Sequence, residues 1–333
     1  MRADIVVGVQ AGDEAKGKVT HHLCKNGSYT HVLRFNGGCN AGHTIYHEGK
    51  KFITHHIPAG VFYGIKSVIG SGCVVNVKQF FKELEELKEG GIDVEGNVFI
   101  ARNAHIITDE HLEQDNRDNS IGTTKRGNGP AYRDKYNRSG LLAKDCVELK
   151  PYLLDLYEEF HENGPVRILC EGAQGFELDI DWGDYPYVTS SHCTSASALL
   201  NAIPHSWIRN VWGVAKIYET YVGAKNFEPS GPEFKLLRKY GEEFGATTGR
   251  PRQCNWLNVD RLTKAIKVNG VNRLVINKMD VMRKLGRWTL IKEGKERNFN
   301  SESEIKSYLA KALSDPMDKK PVLLYFSDKK HSI

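Results

Sequence analysis

The chain has 333 residues, 26% of them charged, and a formal net charge of +5. That length allows one large α/β domain or two modest ones; no apolar run is long enough to span a bilayer, and no block of Lys and Arg marks a nucleic-acid tract. The seven cysteines form no C-x-x-C pair, so neither a zinc site nor a disulfide framework is expected, a reducing cytoplasmic setting is, and the short apolar run after Asp4 is not expected to be a signal peptide.

The first predicted strand is Asp4–Val9. It leads into Gly12-Asp-Glu-Ala-Lys-Gly17-Lys18, a G-x-x-x-x-G-K loop, and a helix is expected over Lys16–Cys24. A loop between strand and helix gathers backbone N–H groups and the positive helix end on one spot, which attracts phosphate. Lys16 and Lys18 can meet that charge. A standard P-loop follows with a Ser or Thr hydroxyl on Mg²⁺, but here the next residue is Val19 and an acid, Asp13, sits inside the loop. A plain strand–helix turn containing glycines would look similar.

The second predicted strand, Thr30–Phe35, runs into "FNGGCNAGHT", Phe35–Thr44, which reads as a second anion-contacting loop with His43 as a donor or cation. Ser67–Ile69 reads as a third strand. Asn76 can cap the next helix, with Gln79 three residues on and Phe80, Leu84 and Leu87 on one face. "IGTTKRGNGPAYRDK", Ile121–Lys135, and later "EGAQG" and "DYPYVTSS" are rich in Gly, Thr and Ser, which suits contacts to a phosphate and a polar base. Val166–Cys170 reads as a buried strand ending in EGAQG, and Trp207–Tyr218 contains another.

In "GATTGRPRQ", Gly245–Gln253, Arg250 and Arg252 flank Pro251, whose fixed φ stiffens the loop. Two guanidinium forks beside two Thr hydroxyls suit a small dicarboxylate. Asn258–Val268 is amphipathic, and Arg273–Ile276 is a strand ending in "NKMD". N-K-x-D reads guanine: the Asp carboxylate accepts the N1–H and N2 amino hydrogens, a donor pair that adenine lacks, and the Lys stem covers the base. Ser301–Leu313 is a helix with a Ser301/Glu304 capping box. Strands alternating with helices, without repeat or linker, predict one α/β domain over residues 1–333: a central, mostly parallel sheet flanked by helices, with a P-loop-like GTP-binding site.

Taken together and in order, Gly12–Lys18, Asn40–Thr44, Ile121–Tyr132, Glu171–Gly175, Tyr185–Ser191, Thr247–Arg252 and Lys278–Asp280 closely resemble the signature of the adenylosuccinate synthetase family. The resemblance implies a ligase that joins L-aspartate to C6 of IMP, using GTP as co-substrate and one Mg²⁺ per subunit. It implies that Asp13 removes the purine N1 proton and touches the metal, so that no hydroxyl is needed at position 19. His43, Gln174 and Lys16 would complete the catalytic group. Gly12, Gly17, Lys18, Gly42, Thr44, Lys278, Asp280 and Ser327 would bind GTP, and the Gly42 carbonyl would join Asp13 on Mg²⁺. Asn40, Thr124, Thr189 and Arg250 would hold the purine nucleotide, with Arg138 reaching the site across a homodimer interface. Thr247, Thr248, Arg250 and Arg252 would bind aspartate. No nucleic acid or membrane is expected as a partner.

Some positions depart from the family pattern: Ala11 stands for a usual Trp, Ala15 for Gly, Cys39 for His, Tyr221 for Arg and Gln253 for Arg, and the C-terminal guanine loop has become "FSDKKHS". Some viral relatives aminate GMP or dGMP instead, which keeps a second purine assignment open. The intact Asp13 and T-G-R-P-R string favour IMP. A regulatory GTPase shares two motifs, but it would need the P-loop hydroxyl and a D-x-x-G switch after a strand; here "DVEG", Asp93–Gly96, follows two glycines.

Overall fold

The structure is a computed structural model and describes residues 1–117, 121–245, 249–314 and 322–328. Its centre is a nine-stranded sheet: β1 (Arg2–Gly8), β2 (His31–Arg34), β3 (Lys66–Ile69), β4 (Val98–Ala101), β5 (Leu153–Leu154), β6 (Arg167–Glu171), β7 (Ile208–Lys216), β8 (Arg273–Asn277) and β9 (Leu323–Phe326). The order is β9-β8-β7-β1-β6-β2-β3-β4-β5, and every pairing is parallel. The chain leaves β1 in one direction, returns to insert β6 between β1 and β2, and then builds β7 to β9 on the other side. In an open α/β sheet such a reversal parts the loops at the carboxyl ends of the strands and opens a crevice there.

Both faces of β1 are buried, which explains its unbroken apolar run. Val6 packs with Val32, Leu169, Val214 and Val275 beneath helix α1 (Lys16–Asn26), whose Val19 and Cys24 face them. Ile5 and Val7 point the other way, into the larger core with Cys170, Ala215 and Ile276. Helix α2 (Val77–Glu89) starts as its sequence predicts: the Asn76 side chain accepts from Gln79 N at 2.9 Å, and Phe80, Leu84 and Leu87 are buried. A later helix, Val259–Asn269, is capped by Asn258, which accepts from Asp260 and Arg261 N.

One expectation needs correction. The Ser301/Glu304 box is only half made: Ser301 Oγ accepts from Glu304 N, but Glu304 Oε2 reaches the Asn300 amide at 2.8 Å rather than that of Ser301. The run Trp207–Tyr218 contains a strand, as expected, namely β7. It breaks after β7, and Tyr218–Tyr221 turns away to pair antiparallel with Gln253–Asn258. These two join the hairpin Trp288–Lys292/Lys295–Phe299 in a separate four-stranded sheet. The break brings Tyr218–Tyr221 next to the strand that follows the R-P-R string.

Candidate active site

The predicted site loops leave the carboxyl ends of β1, β2, β6 and β8, around the reversal of strand order. In the first loop Gly12, Asp13 and Ala15 have φ of 86°, 58° and 72°. Only Gly12 adopts this left-handed backbone freely. Asp13, Ala15, Lys125, Arg138, Gln174 and Lys278 are all predicted site or motif-loop residues with positive φ. Strained residues of this kind persist where surrounding structure fixes them, and they cluster at functional sites.

Glu14, which the motif reading left without a role, fixes the first loop. It is fully buried. Its carboxylate accepts from Gln10 N at 3.2 Å, Gly12 N at 3.0 Å and Lys16 Nζ at 2.7 Å. Lys16 Nζ also bonds the Gln174 carbonyl, which ties the first loop to EGAQG. Asn277, the first residue of NKMD, donates to Glu14 O at 2.9 Å. Lys18 turns to the same end: its Nζ bonds Ser327 Oγ at 2.6 Å and Asn277 Oδ1 at 3.3 Å. Burial, opposed by Asp280 and reinforced by Lys278, lowers the Lys18 ammonium to about 8. The drifted C-terminal segment therefore still brings Ser327 to the guanine motif. Lys278 donates to Gly241 O at 2.7 Å, and Asp280 keeps one buried carboxylate oxygen without a hydrogen bond.

His43 is buried against Gly17: a Cβ at Gly17 would lie 2.8 Å from His43 Cβ, so a larger residue would displace the ring. His43 Nδ1 lies 2.5 Å from Glu171 Oε1 and 3.1 Å from Arg34 Nη2. Burial, then the Arg34 charge, lowers His43 to about 4 against the pull of Glu171. The ring is therefore neutral at pH 7, with Nδ1–H donated to the carboxylate and Nε2 left for a ligand. Arg34 and Glu171 are register partners on β2 and β6, and Arg34 Nη2 donates to Glu171 Oε1 at 2.6 Å. Glu171 Oε2 accepts from Ala59 N at 2.9 Å. Burial alone would raise this carboxyl, but Arg34 and His43 pull it down to about 2.

Gln174 and Asn40 meet directly: Gln174 Nε2 donates to Asn40 Oδ1 at 2.9 Å, and Asn128 Nδ2 donates to the same oxygen at 2.9 Å. Gln174 Oε1 is buried without a partner. Asp13 and Arg252 also meet, with Nε 2.8 Å from Oδ2. The predicted base and the predicted amino-acid arginine thus touch. Arg250 and Thr124 are exposed. Thr189 is half-buried and its amide donates to Leu178 O at 2.8 Å. Thr44 is half-buried on the short strand His43–His47, directly after Gly42. Arg138 is exposed beyond the end of the helix Asn128–Asn137. Thr247 and Thr248 lie outside the described residues.

Asp13 and the Gly42 carbonyl are oxygen donors, the class that suits Mg²⁺. A separate Asp179–Asp181–His192 group is near enough together to hold a metal. However, Asp179 already accepts from the amides of Asp181, Trp182 and Cys193, so it staples a turn. Two departures from the family pattern prove to be neighbours: Ala11 and Tyr221 share a small apolar cluster with Phe227, Leu178 and Tyr187.

Comparison with known proteins agrees with this geometry. A family model described as Adenylosuccinate synthetase matches residues 5–163 and 147–308. An adenylosuccinate synthetase of Thermodesulfovibrio yellowstonii is 36% identical over 85% of this chain and 78% of its own. One of Helicobacter pylori is 38% identical over 84% and 79%. Among solved structures, the fully ligated adenylosuccinate synthetase of Plasmodium falciparum superposes with a TM-score of 0.85 at 28% identity, covering 94% of this chain and 95% of that one. The succinoaminodeoxyadenylate synthetase (PurZ) of cyanophage S-2L, bound to dGMP and dATP, has the same fold, with a TM-score of 0.73 at 19% identity over 93% and 99%. With the family match running through the loops that carry Asp13, His43, Gln174, Arg252 and Asp280, the chain belongs to the adenylosuccinate synthetase family of carbon–nitrogen ligases.

Proposed function

We propose that the protein joins L-aspartate to C6 of IMP at the expense of GTP, with the roles divided among the loops at the carboxyl ends of β1, β2, β6 and β8. The observation that carries this reading is the meeting of Asp13 with Arg252, and of Gln174 with Lys16 and Asn40, from segments far apart in sequence. The family match from residue 5 to 308 also supports taking residues 1–333 as one synthetase-like domain.

Asp13 takes the N1 proton of IMP, so that electron density moves to O6 and O6 attacks the γ-phosphorus of GTP. The bond from that phosphorus to the β–γ bridging oxygen breaks, and GDP leaves. Lys16 and Gln174 lie beside O6, with the buried unpaired Gln174 Oε1 available to the purine. His43, held through Nδ1 by Glu171, donates from Nε2 to the transferring group once the phosphate charge beside it has protonated the ring. Asn40, Thr124, Thr189 and Arg250 hold the nucleotide, and Arg138 of a second subunit reaches its phosphate. Thr247, Thr248, Arg250 and Arg252 take the carboxylates of aspartate. The aspartate amine then forms the C6–N bond, the C6–O bond breaks, and phosphate departs, taking up the proton that the amine gives up. Lys278 and Asp280, with Ser327 near them, bind guanine, while Gly12, Gly17, Lys18, Gly42 and Thr44 line the phosphate path. Asp13 and the Gly42 carbonyl would hold Mg²⁺, which when bound neutralises charge on the phosphates. A cytoplasmic homodimer fits free cysteines, an exposed Arg138 and the lack, among the described residues, of any helix long and apolar enough to cross a membrane.

A second purine is worth testing because Ala11 and Tyr221, which both depart from the family pattern, belong to one apolar cluster beside Gly12. Aspartate-dependent phosphate release with GTP and Mg²⁺ should be measured with IMP, GMP and dGMP in parallel. Turnover with IMP alone is expected. Turnover confined to GMP or dGMP would move the assignment to a 2-amino purine, and no turnover with any of them would sink the catalytic reading.

A further inference from the structure

Behind the predicted aspartate site lies a buried ionic group that the scheme above does not use. Glu243 is 1% exposed. Its Oε1 accepts from Tyr218 OH at 2.6 Å and Lys216 Nζ at 3.1 Å, and its Oε2 accepts from Arg252 Nη1 at 2.6 Å. The two backbones are also joined, Arg252 N to Glu243 O at 3.0 Å. Lys216 is 1% exposed, so Lys216, Glu243, Arg252 and Asp13 form a chain of alternating charge that runs from the interior to the predicted base.

Arg252 stands between two carboxylates, but they hold it differently. Towards Glu243 it makes a directed hydrogen bond. Towards Asp13 its Nε is 2.8 Å away, yet that buried N–H has no hydrogen-bond partner, so the contact is an ion pair out of line. A guanidinium facing a single carboxylate favours the two-pronged pairing. Were Glu243 uncharged, Arg252 would have only Asp13, and that pairing would cover the base and withdraw the donors meant for substrate. Glu243 is itself fixed by Lys216 and Tyr218, so the guanidinium is aimed by groups that touch no substrate.

We propose that Glu243 is the positioning residue of the aspartate site: it holds the Arg252 guanidinium off the Asp13 carboxylate and directs its free N–H groups to the incoming L-aspartate. This rests on the reading of Asp13 as base and Arg252 as an aspartate ligand. The test is steady-state kinetics of Glu243→Gln with aspartate, IMP and GTP varied in turn. A misaimed binding group costs up to ~10²-fold, so the KM for aspartate should rise ~10–100-fold, while the KM values for GTP and IMP stay within ~3-fold. Because Glu243→Gln leaves Lys216 buried without its partner and could unfold, Tyr218→Phe serves as the second variant. It removes one neutral hydrogen bond to the same carboxylate and should raise the aspartate KM ~2–10-fold, again selectively. An unchanged aspartate KM in an active variant, or an equal rise for all three substrates, would overturn the proposal and leave the assigned reaction standing. Wild-type protein inactive towards aspartate with every purine nucleotide would overturn the underlying reading and the proposal with it.

Discussion

Replacing Glu171 by Gln tests whether the Arg34–Glu171–His43 group both holds the sheet together and orients His43 for the phosphoryl-transfer role proposed for it. Glu171 is fully buried and Arg34 is 2% exposed. One oxygen of Glu171 serves Arg34 and His43, and the other serves the Ala59 amide. A glutamine amide cannot do both: in either orientation its NH₂ faces a donor. Arg34 is then a buried cation without a carboxylate, and breaking a buried pair from one side costs ~3–5 kcal/mol. An unfolding entropy of about 2.1 cal/mol/K per residue gives roughly 0.7 kcal/mol/K for 333 residues. The melting temperature should therefore fall by roughly 4–7 °C. His43 also loses the acceptor that fixes its Nδ1–H, so turnover should fall ~10²–10³-fold, the scale of losing one preorganised group. Scanning calorimetry and phosphate release on the same preparation read the two arms. A melting temperature within about 1 °C of wild type would refute the buried-pair argument. A lowered melting temperature with undiminished turnover would refute the role given to His43.

Two further outcomes follow from the same geometry. Asp280→Asn exchanges one acceptor oxygen for a donor, so the guanine N1–H and N2 hydrogens lose part of their partner; at ~1.5–3 kcal/mol for a bond to a charged group, the KM for GTP should rise ~10–100-fold while those for IMP and aspartate hold, and an unchanged GTP KM would remove Asp280 from the base site. Stability should depend on pH in a set direction. Glu171 and Glu243 both titrate near 2 in the folded chain, against an ordinary 4.5; a depressed carboxyl stabilises above the unfolded value, and that stability is lost as pH falls from 4.5 towards 2, by about 3 kcal/mol for each. His43, lowered to about 4, adds a loss between 6.5 and 4, whereas Glu83 and Glu219, raised by burial to about 7 and 8, work the other way above 4.5. Melting scans should show a steep fall below pH 4.5, and a flat profile down to pH 3 would contradict these assignments.

The loops after β1, β2, β6 and β8 were legible because each follows an apolar run, and such runs end where a parallel sheet opens its crevice; Ile121–Lys135 and Gly245–Gln253 instead follow the helices Asp109–Arg117 and Pro232–Gly241. Lys16 and His43 could be named because they follow such runs, whereas the roles of Asp13, Gln174 and Asn40 came from the family resemblance; Lys16, Gln174 and Asn40 are joined by hydrogen bonds. The groups that hold them were harder to see. Glu14 looks misplaced in an anion-binding loop until its carboxylate is found under Gln10 N, Gly12 N and Lys16. Arg34 and Glu171 did leave a trace: each follows a short apolar run, Val32–Leu33 or Ile168–Cys170, with a charge of opposite sign, and in-register pairing makes them partners. Glu243 left none, since Lys216, Tyr218 and Arg252 meet it only after Tyr218–Tyr221 leaves the main sheet to pair with Gln253–Asn258.

The account turns on Asp13 as the base that makes O6 a nucleophile. Asn in its place keeps the shape but cannot accept the proton, and it no longer pairs with Arg252. Phosphate release by Asp13→Asn with saturating GTP, IMP, aspartate and Mg²⁺, alongside calorimetric binding of IMP and GTP, tests this directly. Turnover down by ~10²–10⁴-fold with both nucleotides still bound is the predicted result; turnover within a few-fold of wild type would show that another group takes the proton.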